Sequence, residues 1–415
     1  MRIYGCIGKK LTHSFSKEIH ALLADYEYRL MEMAEDEVPP FLARREFEAI
    51  NVTIPYKQTV IPYLDAVSDV ARRIGAVNTI VNRGGKLYGY NTDYYGMKAL
   101  IERVGTGLHG KKVLILGTGG TAKTAAVVAA DMGAAEVLTV SRSKALGSIT
   151  YEEAVTLHRD GEIIINTTPV GMYPDCPSRP VDIASFHRPE GVIDAVYNPL
   201  RTSLVLDARG RGIPAEGGLY MLVMQAVVAV EHFLDTEIPR NTADRVFSSI
   251  LLAKENVVLT GMPGSGKSTV GKLLAREGYE LIDTEEEIVR RCGCSIKELI
   301  AAKGEPYFRD LETEVIRDVS AKGGRIIATG GGAILREENV RALKQNGRLF
   351  FLDAALSRLR ATEDRPLSDT ADKLTGLYRE RIDIYRKTAD VTVPDMETPE
   401  AEAAYIALKR REMSL

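Results

Sequence analysis

Cysteine is scarce. Four residues in a 415-residue chain (Cys6, Cys176, Cys292 and Cys294) are too few for a disulfide framework. Cys292-Gly-Cys294 has no second pair and no neighbouring histidine, so a metal site is not expected there. A basic run is also missing. With 54 Lys and Arg against 57 Asp and Glu the net charge is -3, which leaves no electrostatic footprint for nucleic acid. No apolar run reaches membrane-spanning length, and the opening MRIYGCIGKK lacks a signal peptide's apolar stretch. The expectation is a cytoplasmic chain with no membrane and no nucleic-acid partner. Internal repeats and low-complexity tracts are absent too, which excludes solenoids and disordered arms. What remains is an ordinary globular balance, 45% hydrophobic and 27% charged, over a length too great for one core. Two or more domains are expected, and the sequence leaves their oligomeric state open.

Apolar runs alternating with helical stretches dominate from Lys112 onward. KKVLILG, EVLTVSRS, EIIINTTP and EGVIDAVYNP read as strands of a parallel sheet covered on both faces. The residues before 105 read as a separate mixed α/β part with its own polar motifs. GGLYMLVMQAVVAVEHFL reads as a long helix with an apolar stripe. Pro239 and polar neighbours then break the pattern, and NVVLTG opens a new strand at Asn256, so a short linker is expected within 236–255. The C-terminal EAAYIALKRREMSL reads as a closing helix with a basic end that suits the helix dipole.

LTGMPGSGKST fits the phosphate-loop pattern G-x-x-x-x-G-K-[ST] between a strand and a helix. Gly264, Ser265, Gly266 and Thr269 would let backbone N–H groups curl around phosphate oxygens. Lys267 would reach the outer phosphates, and Ser268 would ligate magnesium. Further on stand Asp283 and Glu285 at a strand end, Arg309 in GEPYFRDLE, Gly330, Gly331 and Gly332, Arg365 in EDRPLS, and Arg381 with Tyr385 one helical turn on. Taken singly, Arg309 reads as a surface charge and Glu285 as an acid favoured at a helix start. Taken in order, the set resembles shikimate kinase. That resemblance implies that Arg309 and Arg381 hold a substrate carboxylate above Gly330–Gly332. It also implies that Asp283 organises magnesium and that Arg365 closes over the transferring group. Glu285 stands where the family has Asp, and Asp383 where it has Pro; Glu285 is expected to keep the acid's role.

VLILGTGGTAK supplies a second cradle, with Gly117, Gly119, Gly120, Thr121 and Ala122 between strand and helix. The next strand ends in Ser141, Arg142 and Ser143, where an NAD site would place an acid; these groups suit the 2'-phosphate of NADP, although a solvated basic turn would read the same way. Earlier motifs give Ser14 and Ser16 in HSFS, Thr53 and Lys57 in NVTIPYK, Asn78 in GAVNTI, and Thr92 and Asp93 in GYNTDYYG. Such hydroxyls and amides suit a small polyhydroxylated ligand, although each alone could be a turn residue. With DAVYNP (Tyr197) and GGLYMLVMQ (Gln225) they resemble shikimate dehydrogenase. The resemblance implies that Ser14, Ser16 and Tyr197 meet the substrate carboxylate side. Thr53, Asn78, Thr92 and Gln225 would hold hydroxyls, and Lys57 and Asp93 would form the catalytic pair.

The resemblances imply an α/β chain. Residues 1–250 would form the dehydrogenase, with a substrate subdomain (1–104 and 218–250) and a Rossmann-type NADP subdomain (105–217). Residues 255–415 would form a P-loop kinase domain of the nucleoside-monophosphate-kinase-like type. The implied function is NADPH-dependent reduction of 3-dehydroshikimate to shikimate, then phosphorylation of shikimate with ATP and Mg2+. Two alternatives stay open: a quinate-preferring dehydrogenase fused to the kinase, and a ligand-sensing regulator built from degenerate domains. Retention of Lys57, Asp93, Lys267, Ser268 and Arg309 weighs against the regulator.

Overall fold

Short aliphatic runs build three sheets in the computed structural model, which describes residues 3–11, 15–144, 147–239, 241–276, 278–359 and 370–414. The chain forms two units that part near Ile250. Among the described residues, the first sheet has six strands: β1 (Tyr4–Gly8), β2 (Tyr28–Glu32), β3 (Ala49–Val52), β4 (Ala66–Val67), β5 (Thr79–Arg83) and β6 (Lys86–Tyr90). Their order is β2-β1-β3-β5-β6-β4. It is a mixed sheet: β3 runs antiparallel to β5, and β5 to β6. The β5–β6 hairpin turns on Gly84 and Gly85, both at positive φ, as a two-residue turn requires.

The second sheet contains β7 (Lys112–Leu116), β8 (Glu136–Ser141), β9 (Ser148–Thr150), β10 (Ile163–Asn166), β11 (Gly191–Asp194) and β12 (Ala215–Glu216). The order is β12-β11-β10-β7-β8-β9, every pair parallel, with the direction of winding reversing between β7 and β10. This is the Rossmann arrangement. Alternate residues feed opposite helical layers. Val113, Ile115, Ile163 and Ile165 belong to one core, and Leu114, Leu116 and Ile164 to the other. That is why these strands are apolar throughout rather than alternating.

The helix Asp93–Val104 was expected to belong with the first sheet. Its buried Met97, Leu100 and Ile101 instead share the core of β7 and β10. It also crosses the helix Leu219–Leu234 closely: a Cβ on Gly96 would lie 2.5 Å from the Met221 carbonyl. A glycine in mid-helix costs roughly 0.5–1 kcal/mol relative to Ala, and close packing is the compensation here.

Where a short linker was expected, the helix Asn241–Lys254 forms. Ala243, Val246, Phe247 and Ile250 fall on one face and are buried, so the break after Leu234 is confined to a few residues. The third sheet comprises β13 (Asn256–Thr260), β14 (Glu280–Asp283), β15 (Arg325–Ala328), β16 (Gly347–Asp353) and β17 (Val391–Pro394). Its order is β14-β15-β13-β16-β17, all parallel, again with two apolar faces. The expected C-terminal helix is present as Pro399–Glu412. Among the described residues no helix is long and apolar enough to cross a membrane.

Asp194, at the end of β11, is fully buried. Its carboxylate accepts bonds from Asn166 Nδ2 at 2.9 Å, Thr202 Oγ1 at 2.6 Å and Val196 N at 3.0 Å. Burial nonetheless pushes its carboxyl up to about 7. The unfolded chain titrates this group near 3.9. Between those values the folded state binds the extra proton, so the Asp194 contribution to stability falls as pH rises from about 4 to 7. His20, buried and depressed to about 3, acts with the opposite sign below its ordinary value. Asp194→Asn keeps the shape and can still meet Asn166, Val196 and Thr202. Wild type should therefore lose stability relative to Asp194→Asn between pH 5 and 8, read from melting curves of both proteins. A constant difference across that range would mean that Asp194 stays ionised in the fold.

Candidate active sites

In the first unit, polar groups from separate elements converge at the strand ends. Lys57 comes from the turn after β3 and Asp93 from the first turn of its helix. The Lys57 ammonium donates to Asp93 Oδ2 at 2.6 Å, with Asp93 only 13% exposed. Asn78, just before β5, donates from Nδ2 to Thr92 Oγ1 at 3.0 Å and accepts from Thr92 N at 2.7 Å. Gln225, on the helix Leu219–Leu234, reaches Thr92 Oγ1 at 3.4 Å. Thr53 lies partly exposed between β3 and Lys57. Tyr197 packs edge-on to Phe15 at 5.3 Å, beside Ser16 at the start of the helix Ser16–Leu23. Ser14 lies outside the described residues. Asn51 stands behind this group: it accepts from the Tyr28 hydroxyl at 2.7 Å and donates to Thr79 Oγ1 at 3.1 Å. Such a second layer fixes amide orientation, and only tertiary contact reveals it.

The nucleotide crevice opens at the winding reversal. Gly117 has a φ of +111°, and a Cβ there would strike Thr167 Oγ1 at 2.8 Å. Gly119 and Gly120 have nothing within 4 Å of an added Cβ, so the loop surface is open. Gly119 leads into the helix Gly120–Asp131 without a side-chain cap, leaving N–H groups for a phosphate. Thr121 is half-buried and Ala122 is buried against the sheet, where a larger residue would push the helix away. Ser141 ends β8, and Arg142 and Ser143 follow it, exposed. The donor set therefore fits a dinucleotide, and a cation replaces the usual acid at the ribose end.

In the second unit, Gly264 and Gly266 take positive φ, and the helix Lys267–Ala275 starts directly after them. Lys267 Nζ donates to the carbonyls of Gly261 at 2.8 Å and Met262 at 3.0 Å. Ser268 Oγ donates to Asp283 Oδ2 at 2.6 Å, so the two groups expected at magnesium are adjacent. Asp283 Oδ1 also caps the helix Thr284–Cys292 through Glu285 N at 3.0 Å. Gly264, Gly266, Lys267, Ser268, Thr269, Asp283 and Glu285 line a polar cavity of about 240 Å³. Ser265 is buried beneath the loop. The set fits a phosphate tail with a divalent ion.

Each glycine of the triplet makes room for a different group. A Cβ on Gly330 would lie 3.0 Å from Glu285 Oε1 and 2.8 Å from Glu312 Oε1. One on Gly331 would strike Pro263 at 2.9 Å, and one on Gly332 would overlap the Arg309 guanidinium at 2.3 Å. Arg309 follows a break in the helix Ile296–Ala321 at Gly304, whose φ of +84° glycine tolerates. Its guanidinium donates to Glu312 at 2.8 Å and Glu305 at 3.0 Å. Glu312 is buried, which raises its carboxyl above the ordinary value despite Arg309. Glu312 stands three residues beyond Arg309 on one helix face, a spacing visible in the sequence. Arg381 is buried, its guanidinium held below the ordinary value by desolvation, and it donates to the Gly331 carbonyl at 3.1 Å. The Tyr385 hydroxyl reaches the carbonyls of both Gly261 and Gly331. Arg365 lies outside the described residues.

Comparison with known proteins separates the halves in the same way. A family model described as shikimate kinase matches residues 263–411, and one described as shikimate dehydrogenase substrate binding domain matches residues 6–80. A curated shikimate dehydrogenase (NADP(+)) of Clostridium beijerinckii is 36% identical over 265 residues, 60% of this chain and 97% of that protein. Among solved structures, a chorismate mutase/shikimate 5-dehydrogenase fusion protein from Clostridium acetobutylicum superposes with a TM-score of 0.58. It is 34% identical and covers 60% of this chain and 97% of its own. Shikimate 5-dehydrogenase from Thermus thermophilus, in complex with NADP(H) and shikimate, gives 0.54 at 28% identity, covering 59% and 98%. The chain thus belongs to the shikimate dehydrogenase family over its N-terminal part and carries a shikimate kinase domain at its C-terminal end.

Proposed function

We propose that this bifunctional enzyme reduces 3-dehydroshikimate at the Lys57–Asp93 site and phosphorylates the resulting shikimate at the Lys267–Glu285 site. The observation that carries the reading is that one chain holds two separate phosphate cradles, each beside its own charged side chains and hydroxyl-binding groups. When bound, NADPH supplies the hydride and magnesium-ATP the phosphoryl group.

At the first site Asn78, Thr92, Gln225 and Thr53 bind ring hydroxyls, and Ser14, Ser16 and Tyr197 bind the carboxylate. The Lys57 ammonium stabilises charge growing on the ketone oxygen and provides its proton. Asp93, 2.6 Å from that ammonium, keeps it aimed. Gly117, Gly119, Gly120, Thr121 and Ala122 form the dinucleotide cradle, and Arg142 with Ser141 and Ser143 faces the 2'-phosphate. At the second site Arg309 and Arg381 take the carboxylate, and Gly330–Gly332 form the floor. Glu285 orients the attacking hydroxyl and accepts its proton. Lys267 and Arg365 hold the phosphates, and Ser268 and Asp283 hold the ion.

Incubation with 3-dehydroshikimate, NADPH, ATP and magnesium should yield shikimate and then its 3-phosphate; quinate offered in place of shikimate tests the dehydrogenase's preference. Lys57→Ala should abolish reduction while kinase turnover of added shikimate persists, and Lys267→Ala should do the reverse. Loss of both activities from either folded variant would contradict two independent sites.

Arg142→Asp should narrow or reverse the preference for NADP over NAD. A hydrogen bond to a charged group contributes roughly 1.5–3 kcal/mol, about ten- to a hundredfold in the cofactor ratio. An unchanged ratio of kcat/KM values would remove Arg142 from the cofactor site.

A Cβ on Gly330 would lie 3.0 Å from Glu285 Oε1, which supports a role for this acid beside the glycine triplet. Glu285→Gln should lower kinase turnover by about a hundredfold or more, the scale of general-base help. Glu285→Asp should remain active. Were Glu285 only a favourable acid at a helix start, worth roughly 0.3–1 kcal/mol, the Gln variant would keep its turnover and shift only its melting temperature. Turnover and melting measured on one preparation decide between these.

A further inference from the structure

Cys292 and Cys294 bracket Gly293 at the end of the helix that begins with Asp283 and Glu285. Their sulfurs are 3.6 Å apart, and both residues are partly exposed. Gly293 has a φ of +71°, the left-handed turn that brings the two side chains to the same side. Among the described residues, no third His, Cys, Asp or Glu joins them as a metal set. The other two cysteines, Cys6 and Cys176, are buried and apart from any second thiol, whereas the Cys294 thiol is raised above its ordinary value by its hydrogen bond to Cys292.

We infer that Cys292 and Cys294 form a reversible oxidation site that closes to an intramolecular disulfide and slows the kinase half. The reaction balances with a low-molecular-weight disulfide as oxidant. Cys294 Sγ lies 3.6 Å from Cys292 Sγ, so attack of Cys292 on the small disulfide leaves the product within reach of Cys294. That attack forms a mixed disulfide and releases one small thiolate. Cys294 then gives up its proton to water, attacks the Cys292 sulfur and releases the second. Two protein thiols are oxidised, and one small disulfide is reduced to two thiols.

The link to the kinase is geometric. Forming the bond brings the sulfurs from 3.6 Å to about 2.05 Å, a closure of about 1.5 Å. Side-chain torsions absorb part of it. The remainder falls on the helix Thr284–Cys292, whose other end carries Glu285 and is tied through Asp283 to Ser268. Its last turn is held by Glu287 to Arg291 at 2.8 Å and by Arg291 to Asp318 at 2.7 Å, so it has little slack. A catalytic group tolerates displacement of only roughly 0.5 Å.

The test uses the full chain under native conditions with oxidised glutathione. The expected result is a species lighter by two hydrogens, without a retained glutathione adduct, in which Cys292 and Cys294 no longer react with a thiol reagent. Its kinase turnover should fall several-fold and return with dithiothreitol, while dehydrogenase turnover stays constant. The double variant Cys292→Ser, Cys294→Ser should be active and insensitive to the oxidant. The inference is overturned if the thiols stay reactive, if a stable mixed disulfide accumulates in place of the ring, or if the ring forms with kinase turnover unchanged. It is overturned equally if the double variant loses kinase activity on oxidation as wild type does.

Discussion

A parallel strand buried on both faces can offer side chains to solvent only at its ends, and both halves of this chain are governed by that constraint. Within a few residues of the carboxyl end of β7 or β13, a helix begins whose first N–H groups have no intrahelical partners. Those N–H groups, and glycines that leave them uncovered, are what a phosphate finds. The remaining chemistry collects around that point because the neighbouring strands end there too. Asp283 terminates β14, and Gly330 follows β15. In the mixed first sheet the turn after β3 and the helix after β6 bring Lys57 and Asp93 together although they are 36 residues apart.

Local signals made much of this legible. Strand–glycine–helix order identified both cradles, and the polar motifs between apolar runs named Lys57, Asp93, Asn78 and Thr92. These four meet in the fold as hydrogen-bonded neighbours. What stayed hidden depends on contacts between distant segments. Periodicity could not reveal that the helix Asp93–Val104 shares the core of β7 and β10, because an apolar stripe does not say which sheet it faces. The break at Pro239 read as a short linker within 236–255, yet most of that stretch is the helix Asn241–Lys254. Glu312 looked like an ordinary polar residue until its burial and its partner were known.

The three consecutive glycines show why residue type alone understates a motif. Flexibility is the usual reading of such a run, yet none of the three has a positive φ. Each is small because something else occupies the space: the two carboxylates at Gly330, Pro263 at Gly331, and the Arg309 guanidinium at Gly332. The demand is for closeness, so that a guanidinium and a carboxylate can approach one short stretch of main chain from different sides.

Tyr385 carries this closeness further. Its ring is fully buried and stacks on Phe351 at 5.0 Å, while its hydroxyl sits between the carbonyls of Gly261 and Gly331. One carbonyl belongs to the glycine-rich loop after β13 and the other to the glycine triplet after β15. A single buried hydroxyl thus ties the two segments together. Any movement that parts those two segments has to break one of the Tyr385 bonds.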